Sequence, residues 1–222
     1  MKKINFNDRY GLTDAVIEGR KIMMRRLIDP MLKDCATVHK NCWGADWSDE
    51  PMSLVVDRDT GGIYCKYCGN GVRLHDGGYH YKTKYEVGEV VAVAQSYNEA
   101  TREFPHLATT LVGHDILGSE LGCTNKMFVR ADLMPHQIRI TGIRCERLQD
   151  ISDDDCFREG ISESWYESTD TTTYGFADEK KGTAVEFDTP RQAFAALIDK
   201  VSGRGTWKSN PWVVVYEFEL VK

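Results

Sequence analysis

Two clusters of side chains in this 222-residue sequence have types and spacing suited to chemistry. The first is His39-x2-Cys42, followed further on by Cys65-x2-Cys68. Two residues between donors let a tight turn aim both at one tetrahedral ion, and a second pair from a distant hairpin closes the site. The spacing predicts a zinc ion held by His39, Cys42, Cys65 and Cys68, with Cys35, His75 and His80 competing for the fourth position. Four protein ligands leave no place for a water, so such a zinc is structural rather than catalytic. The alternative is a set of unpaired thiols in a loop-rich segment. The second cluster is Gly19-Arg-Lys-Ile-Met-Met-Arg-Arg26. On a strand, Lys21 and Arg25 share one face with Met23 between them. Two cations aimed at one cleft neutralise a phosphate or polarise a carbonyl oxygen. The alternative is a solvated strand edge, where cations discourage edge-to-edge pairing.

Other candidates are single residues. Glu159, beside Gly160 at the end of a short helix, has the type of a general base or of ordinary surface charge. Asp153, Asp154 and Asp155 read as helix-start charge. Trp207, Asn210, Pro211 and Trp212 precede the last strand, where an aromatic ring such as Trp212 either stacks on a base or packs in a turn. His106, His114 and His136 have no evident partner in the sequence.

The elements that must position these residues are legible to different degrees. Ile4 to Phe6 opens a strand, Thr13 caps a helix over Asp14 to Glu18, and Arg20 to Leu27 follows as a strand. From 30 to 84 the character changes to cysteines, tryptophans and glycines with turn signals at Asp59-Thr-Gly-Gly62 and Asp76-Gly-Gly78. Short apolar runs at Leu54–Val56, Ile63–Tyr67 and Val72–Leu74 predict small hairpins, an insertion with little core of its own. Val87 to Gln95 and Gln137 to Leu148 read as strands, and residues 98 to 125 as a helical turn with a long loop. Ser152 caps a short helix ending near Glu159-Gly160, Thr189-Pro190 opens a helix that presents Phe194, Leu197, Ile198 and Val201 on one face, and Trp212 to Leu220 closes the chain as a central strand.

Hydrophobic content of 41% suffices for a packed core. A formal charge of −6 argues against a broad basic face on a long duplex, though not against a local basic pocket. No apolar run approaches the roughly 20 residues that span a bilayer, so no membrane association is expected. The start carries two lysines without an apolar run behind them, and seven cysteines is an odd count. Both point to a reducing, cytoplasmic compartment. The helices are too short and too few for regular βαβ alternation. The pattern therefore predicts an α+β fold: one domain over 1–222, a small β-barrel flanked by short helices, with a cysteine-rich hairpin insertion at 30–84.

Five stretches in order carry a resemblance: Gly19-Arg-Lys21 ahead of Arg25-Arg26; Tyr85-x-Val-Gly-Glu-Val-Val-Ala92; Ile140-Thr-Gly-Ile-Arg-Cys-Glu-Arg-Leu-Gln-Asp-Ile-Ser152; Cys156-Phe-Arg-Glu-Gly-Ile161; and Trp207-Lys-Ser-Asn-Pro-Trp-Val-Val-Val-Tyr-Glu-Phe218. Together they resemble the ASCH domain family, and more closely its bacteriophage- and prophage-encoded members, over roughly residues 4–28 and 85–222. The resemblance implies a PUA-like fold and a cleft between barrel and helices suited to RNA or a nucleotide-sized ligand. Small bacterial members of the wider family deacylate N4-acetylcytidine, using a lysine and a threonine from a Gly-Arg-Lys-Thr-x-Thr motif and a later glutamate. Lys21 falls on that lysine and Glu159 on that glutamate, while Met24 stands where the nucleophilic threonine would be. A thioether cannot lose a proton and attack a carbonyl, so the threonine mechanism does not transfer intact.

Three functions follow as expectations. The first is a binding protein for RNA or a modified nucleotide, with Lys21, Arg25, Arg26, Glu159 and Trp212 as ligand contacts. The second is an amidohydrolase acting by water attack, with Lys21 and Glu159 as its acid and base. The third is a phage protein-interaction module working through the insertion.

Overall fold

The computed structural model describes residues 1–28, 54–57, 59–65, 82–116 and 121–221. Its centre is the C-terminal strand, whose run of Val213, Val214 and Val215 is fully buried, as β-branched residues in a central strand should be. In chain order the elements are β1 (Lys3–Ile4), α1 (Leu12–Ile17), β2 (Met23–Leu27), β3 (Leu54–Val56), β4 (Ile63–Cys65), β5 (Val90–Val93), α2 (Tyr97–Glu103), α3 (Leu107–Gly113), α4 (Leu121–Thr124) and β6 (Gln137–Arg147). There follow α5 (Asp153–Arg158), β7 (Ser162–Tyr166), β8 (Thr171–Asp178), β9 (Thr183–Phe187), α6 (Pro190–Ser202), α7 (Thr206–Ser209) and β10 (Trp212–Val221). The fold is α+β.

The main sheet has five strands in the order β1-β5-β6-β10-β2. β10 pairs antiparallel with both β6 and β2, and the register places Arg25, Val215 and Arg144 side by side across three strands. The register steps from Glu217–Gly142 to Phe218–Ile140, which leaves Thr141 as the extra residue of a bulge in β6. β5 is apolar on both faces because it divides two cores. Val91 and Val93 enter the large core beneath α6, and Ala92 and Ala94 enter a smaller one with Tyr97, Leu111, Leu133 and Met134.

A small, partly closed barrel was expected from the sequence, and among the described residues no sheet closes into one. β1 is only two residues long and pairs parallel with β5, so it leaves the sheet before reaching β2. The two sheet edges are instead joined by a side chain. Arg26 of β2 donates from Nη2 to the carbonyl of Asn5, just beyond β1, at 2.9 Å.

The helices follow their caps. Ser152 accepts from the Asp155 amide at the start of α5, and Thr189 accepts from the Gln192 amide with Pro190 in the first turn of α6. Helix α1 starts earlier than expected. Gly11, at φ 63°, takes the cap, and the Thr13 hydroxyl donates to Asp8 Oδ1 instead. The stretch from 98 to 125, expected to be a helical turn with a long loop, carries α2, α3 and α4 among its described residues. A second, three-stranded sheet, β7-β8-β9, attaches through Phe176, which meets Tyr10 edge-on with centroids 5.6 Å apart. The β3–β4 hairpin sinks Leu54 and Ile63 into the large core, so this part of the insertion packs on the body. The expected run Val72–Leu74 lies outside the described residues. Among the described residues no helix is long and apolar enough to cross a membrane.

Candidate functional site

Lys21 and Glu159 are brought together by backbone that belongs to neither helix nor sheet. The Lys21 amide donates to the carbonyl of Ala15 at 2.8 Å, and the Ile22 amide to that of Arg158 at 3.0 Å. These bonds strap the chain between α1 and α5, so β2 begins only at Met23 rather than at Arg20. On the other side, α5 ends at Glu159 and the chain turns at Gly160, whose φ of 101° is open to glycine and strained for other residues. A Cβ there would stand 3.6 Å from the Lys21 Cβ.

The pair is buried: Lys21 is 3% exposed and Glu159 5%. Lys21 Nζ donates to Glu159 Oε2 at 2.5 Å and to the Glu159 carbonyl at 2.8 Å. Arg25 reaches the same carboxylate from β2, its Nη1 donating to Glu159 Oε1 at 3.0 Å. Its remaining donors go to Glu146 Oε1, from Nε at 2.9 Å and Nη2 at 2.7 Å, and to Asp155 Oδ2 at 2.8 Å. Arg144 extends the network to Glu146, Asp155 and Glu217, and Arg158 also engages Asp155. Lys21, Arg25, Arg144 and Arg158 thus balance Glu146, Asp155, Glu159 and Glu217. Charges taken out of water at such cost persist only when paired and hydrogen-bonded in this way.

Burial lowers the Lys21 ammonium below its ordinary value, and the attraction of Glu159 only partly opposes this. For Arg25 the balance is reversed. Burial pulls the guanidinium down, but Glu159, Glu146 and Asp155 together outweigh it and the group is raised. Two thiols nearby, the half-buried Cys145 and the buried Cys156, are pushed up to about 12 by desolvation and are therefore not nucleophiles near neutral pH.

Above the pair lies a cleft of about 670 Å³. It occupies the seam between the two sheet edges, with Asn5 to Arg9 on one side and β2 on the other. Its floor includes Lys21, Arg25 and Glu159, and its apolar wall is Met24, Phe194, Leu197 and Ile198. Arg26, Arg9 and Lys126 bring cations to the rim. Arg9 is held by Asp178, and Lys126 by Asp8 and by the Phe6 carbonyl at 2.5 Å. Asn5 supplies a buried amide oxygen with no partner among the described residues. No family model, no curated protein and no solved structure matches this chain.

Of the residues singled out in the sequence, Lys21, Arg25, Arg26 and Glu159 line this one cleft. Arg25, however, has every guanidinium nitrogen committed within the protein, so it positions Glu159 rather than offering itself to a ligand. Trp212 does not line the cleft. It lies half-buried on β10 beneath the Arg147 guanidinium, 4.7 Å from the ring centre, which is a packing role. The proposed zinc ligands His39, Cys42 and Cys68, like Cys35, His75 and His80, lie outside the described residues. Cys65 is the last residue of β4, paired in register with Leu54. Among the described residues no group of His, Cys, Asp or Glu is arranged to hold a metal.

Sequence reasoning passed over Glu146, Asp155 and Arg144. Their partnership with Arg25 depends on strand order, and only the acidic first turn of α5 gave a hint of Asp155. Asn5, Lys126 and the wall from α6 carried no local signal of a cleft at all.

Proposed function

We propose that this protein binds a nucleotide-sized ligand, a modified nucleoside or a short stretch of RNA, in the cleft over Lys21 and Glu159. The observation that carries the reading is the meeting of these two side chains, 138 positions apart in sequence, at the floor of a hollow of suitable size. The apolar wall gives a flat ring a dry surface, and the rim cations suit phosphate. The main sheet is then a PUA-like barrel left open along the Asn5–Arg26 seam, with the ligand in the opening. This agrees with the ASCH resemblance.

Titration with nucleosides, mononucleotides and short RNAs, read by calorimetry, tests this. Saturable binding that weakens in Arg26→Ala and again in Lys21→Met is expected. Binding that is absent at millimolar ligand, or identical in both variants, would remove this cleft from consideration.

The lowered ammonium of Lys21 also favours a second reading, deacylation of an N4-acylated cytidine by an attacking water. Both oxygens of Glu159 are held by cations, so the carboxylate would have to release Lys21 or Arg25 before taking a proton. Incubation with N4-acetylcytidine and detection of free cytidine separates the two readings. No product at high protein concentration leaves binding alone.

A further inference from the structure

Lys126, Met127 and Phe128 form a single 3₁₀ turn at the edge of the cleft. The turn is pinned from several directions. Asn125 Oδ1 accepts from the Met127 amide at 3.0 Å, and Lys3 Nζ donates to the Met127 and Val129 carbonyls at 2.7 and 2.6 Å. Asn5 Nδ2 donates to Met127 Sδ at 3.1 Å, Lys126 is held by Asp8 and the Phe6 carbonyl, and Val129 is buried in the smaller core. On this fixed backbone the two large apolar side chains face water, Met127 at 59% exposure and Phe128 at 56%. Met127 lines the cleft, whereas Phe128, the next residue, stands outside it.

An exposed apolar pair does not by itself identify what covers it. The charges around this one do. Lys126 is balanced by Asp8, but Lys3 and Arg26 have no carboxylate partner among the described residues. Lys3 spends two of its three donors on carbonyls of the turn, and Arg26 spends one of its five on the Asn5 carbonyl. A protein partner that laid an apolar face here would take these cations out of water without a counter-charge. A single nucleic-acid strand brings a flat base for the ring and phosphates for the cations.

We propose that this turn is a stacking platform for the base next to the one seated in the cleft, so that the ligand is single-stranded RNA and not a free nucleoside. The inference rests on a nucleotide occupying the cleft over Lys21 and Glu159. The neighbouring base lies on the Phe128 ring, and the phosphates that link the two nucleotides meet Arg26 and Lys3.

The test is calorimetric titration of the full chain with the four nucleoside 5′-monophosphates and with a random-sequence hexanucleotide RNA. The expected result is a hexanucleotide bound at least about tenfold tighter than any monophosphate, with about tenfold lost in Phe128→Ala and monophosphate affinity unchanged. Monophosphate binding with no gain from the hexanucleotide, a gain that survives Phe128→Ala, or a loss shared equally by the monophosphates overturns the platform and leaves the cleft reading standing. No saturable binding of either ligand removes both. Sedimentation of the free protein adds one more check. A dimer that dissociates in Phe128→Ala means that a second copy covers the ring, and it too overturns the proposal. The ring is exposed, so the variant keeps its fold, which circular dichroism verifies.

Discussion

Glu159 holds two cations with its two oxygens, whereas Lys21 holds one carboxylate, so the members of this buried cluster are separable by mutation. Glu159→Gln leaves Lys21 at 3% exposure with no counter-charge, while Arg25 keeps Glu146 and Asp155. Stranding one buried charge should lower stability by about 3–5 kcal/mol. Lys21→Met leaves Glu159 still paired with Arg25, so its loss should be clearly smaller. Urea denaturation of the two variants measures the order directly. The pH dependence follows from the same ammonium. Lys21 is lowered from 10.5 in the folded protein, so at alkaline pH the unfolded chain binds more protons at this site. Stability therefore rises with pH between the lowered value and 10.5. Lys21→Met removes that rise, and comparing its stability with the parent's at neutral pH and near about pH 10 should show the difference moving in favour of the parent. The types and positions of Lys21, Arg25 and Glu159 were legible before the fold was known. The division of labour among them was not, because Arg25 and Arg144 become neighbours only through Val215 on the strand between.

Secondary elements were readable wherever a cap or a strict apolar period marks them. Helices α5 and α6 begin at Ser152 and Thr189 as the sequence suggests, β6 opens on its apolar alternation, and β10 follows its continuous apolar run. α2 was missed although Ser96 and Glu99 form a complete capping box, a signal present in the sequence but outweighed by the mixed composition around it. The sheet β7-β8-β9 had no such signal, since every residue of β7 is exposed and gives no two-residue period. Its packing depends instead on one close approach. A Cβ at Gly175 would meet the Val185 carbonyl oxygen at 2.3 Å, so β8 and β9 lie together only because this position is bare. The cap of α5 is the element-level feature nearest to function, because that helix carries Asp155 and ends at Glu159. Ser152→Ala removes the acceptor of the Asp155 amide and should cost about 1 kcal/mol. Thermal unfolding should show a correspondingly lower midpoint, with ligand affinity at the Lys21 cleft falling alongside it as Glu159 loses its fixed position.

At the scale of the whole molecule, β5 makes two cores into one structure. Its residues alternate between them, so neither core can loosen without exposing one face of the strand that the other also uses. This explains both why Val90 to Ala94 reads as an unbroken apolar run and why that run could not reveal the second core, whose remaining members lie between Tyr97 and Met134, where the sequence showed no regular apolar period. An open sheet suffices where a partly closed barrel was expected, because Arg26 grips the segment beyond β1 and joins the two edges. The consequence is cooperativity. Leu133→Ala, in the smaller core, should cost about 2–3 kcal/mol as a large-to-small core substitution. If β5 couples the cores, that loss lowers the stability of the entire fold and not of α2 to α4 alone. The described tryptophans Trp165, Trp207 and Trp212 all stand outside the smaller core, on β7, α7 and β10, whereas helical circular dichroism includes α2 to α4. In urea the two signals of Leu133→Ala should therefore move to lower denaturant together and remain superimposed. A dichroism transition that runs ahead of the fluorescence would mean that the smaller core melts by itself and that β5 does not join the two.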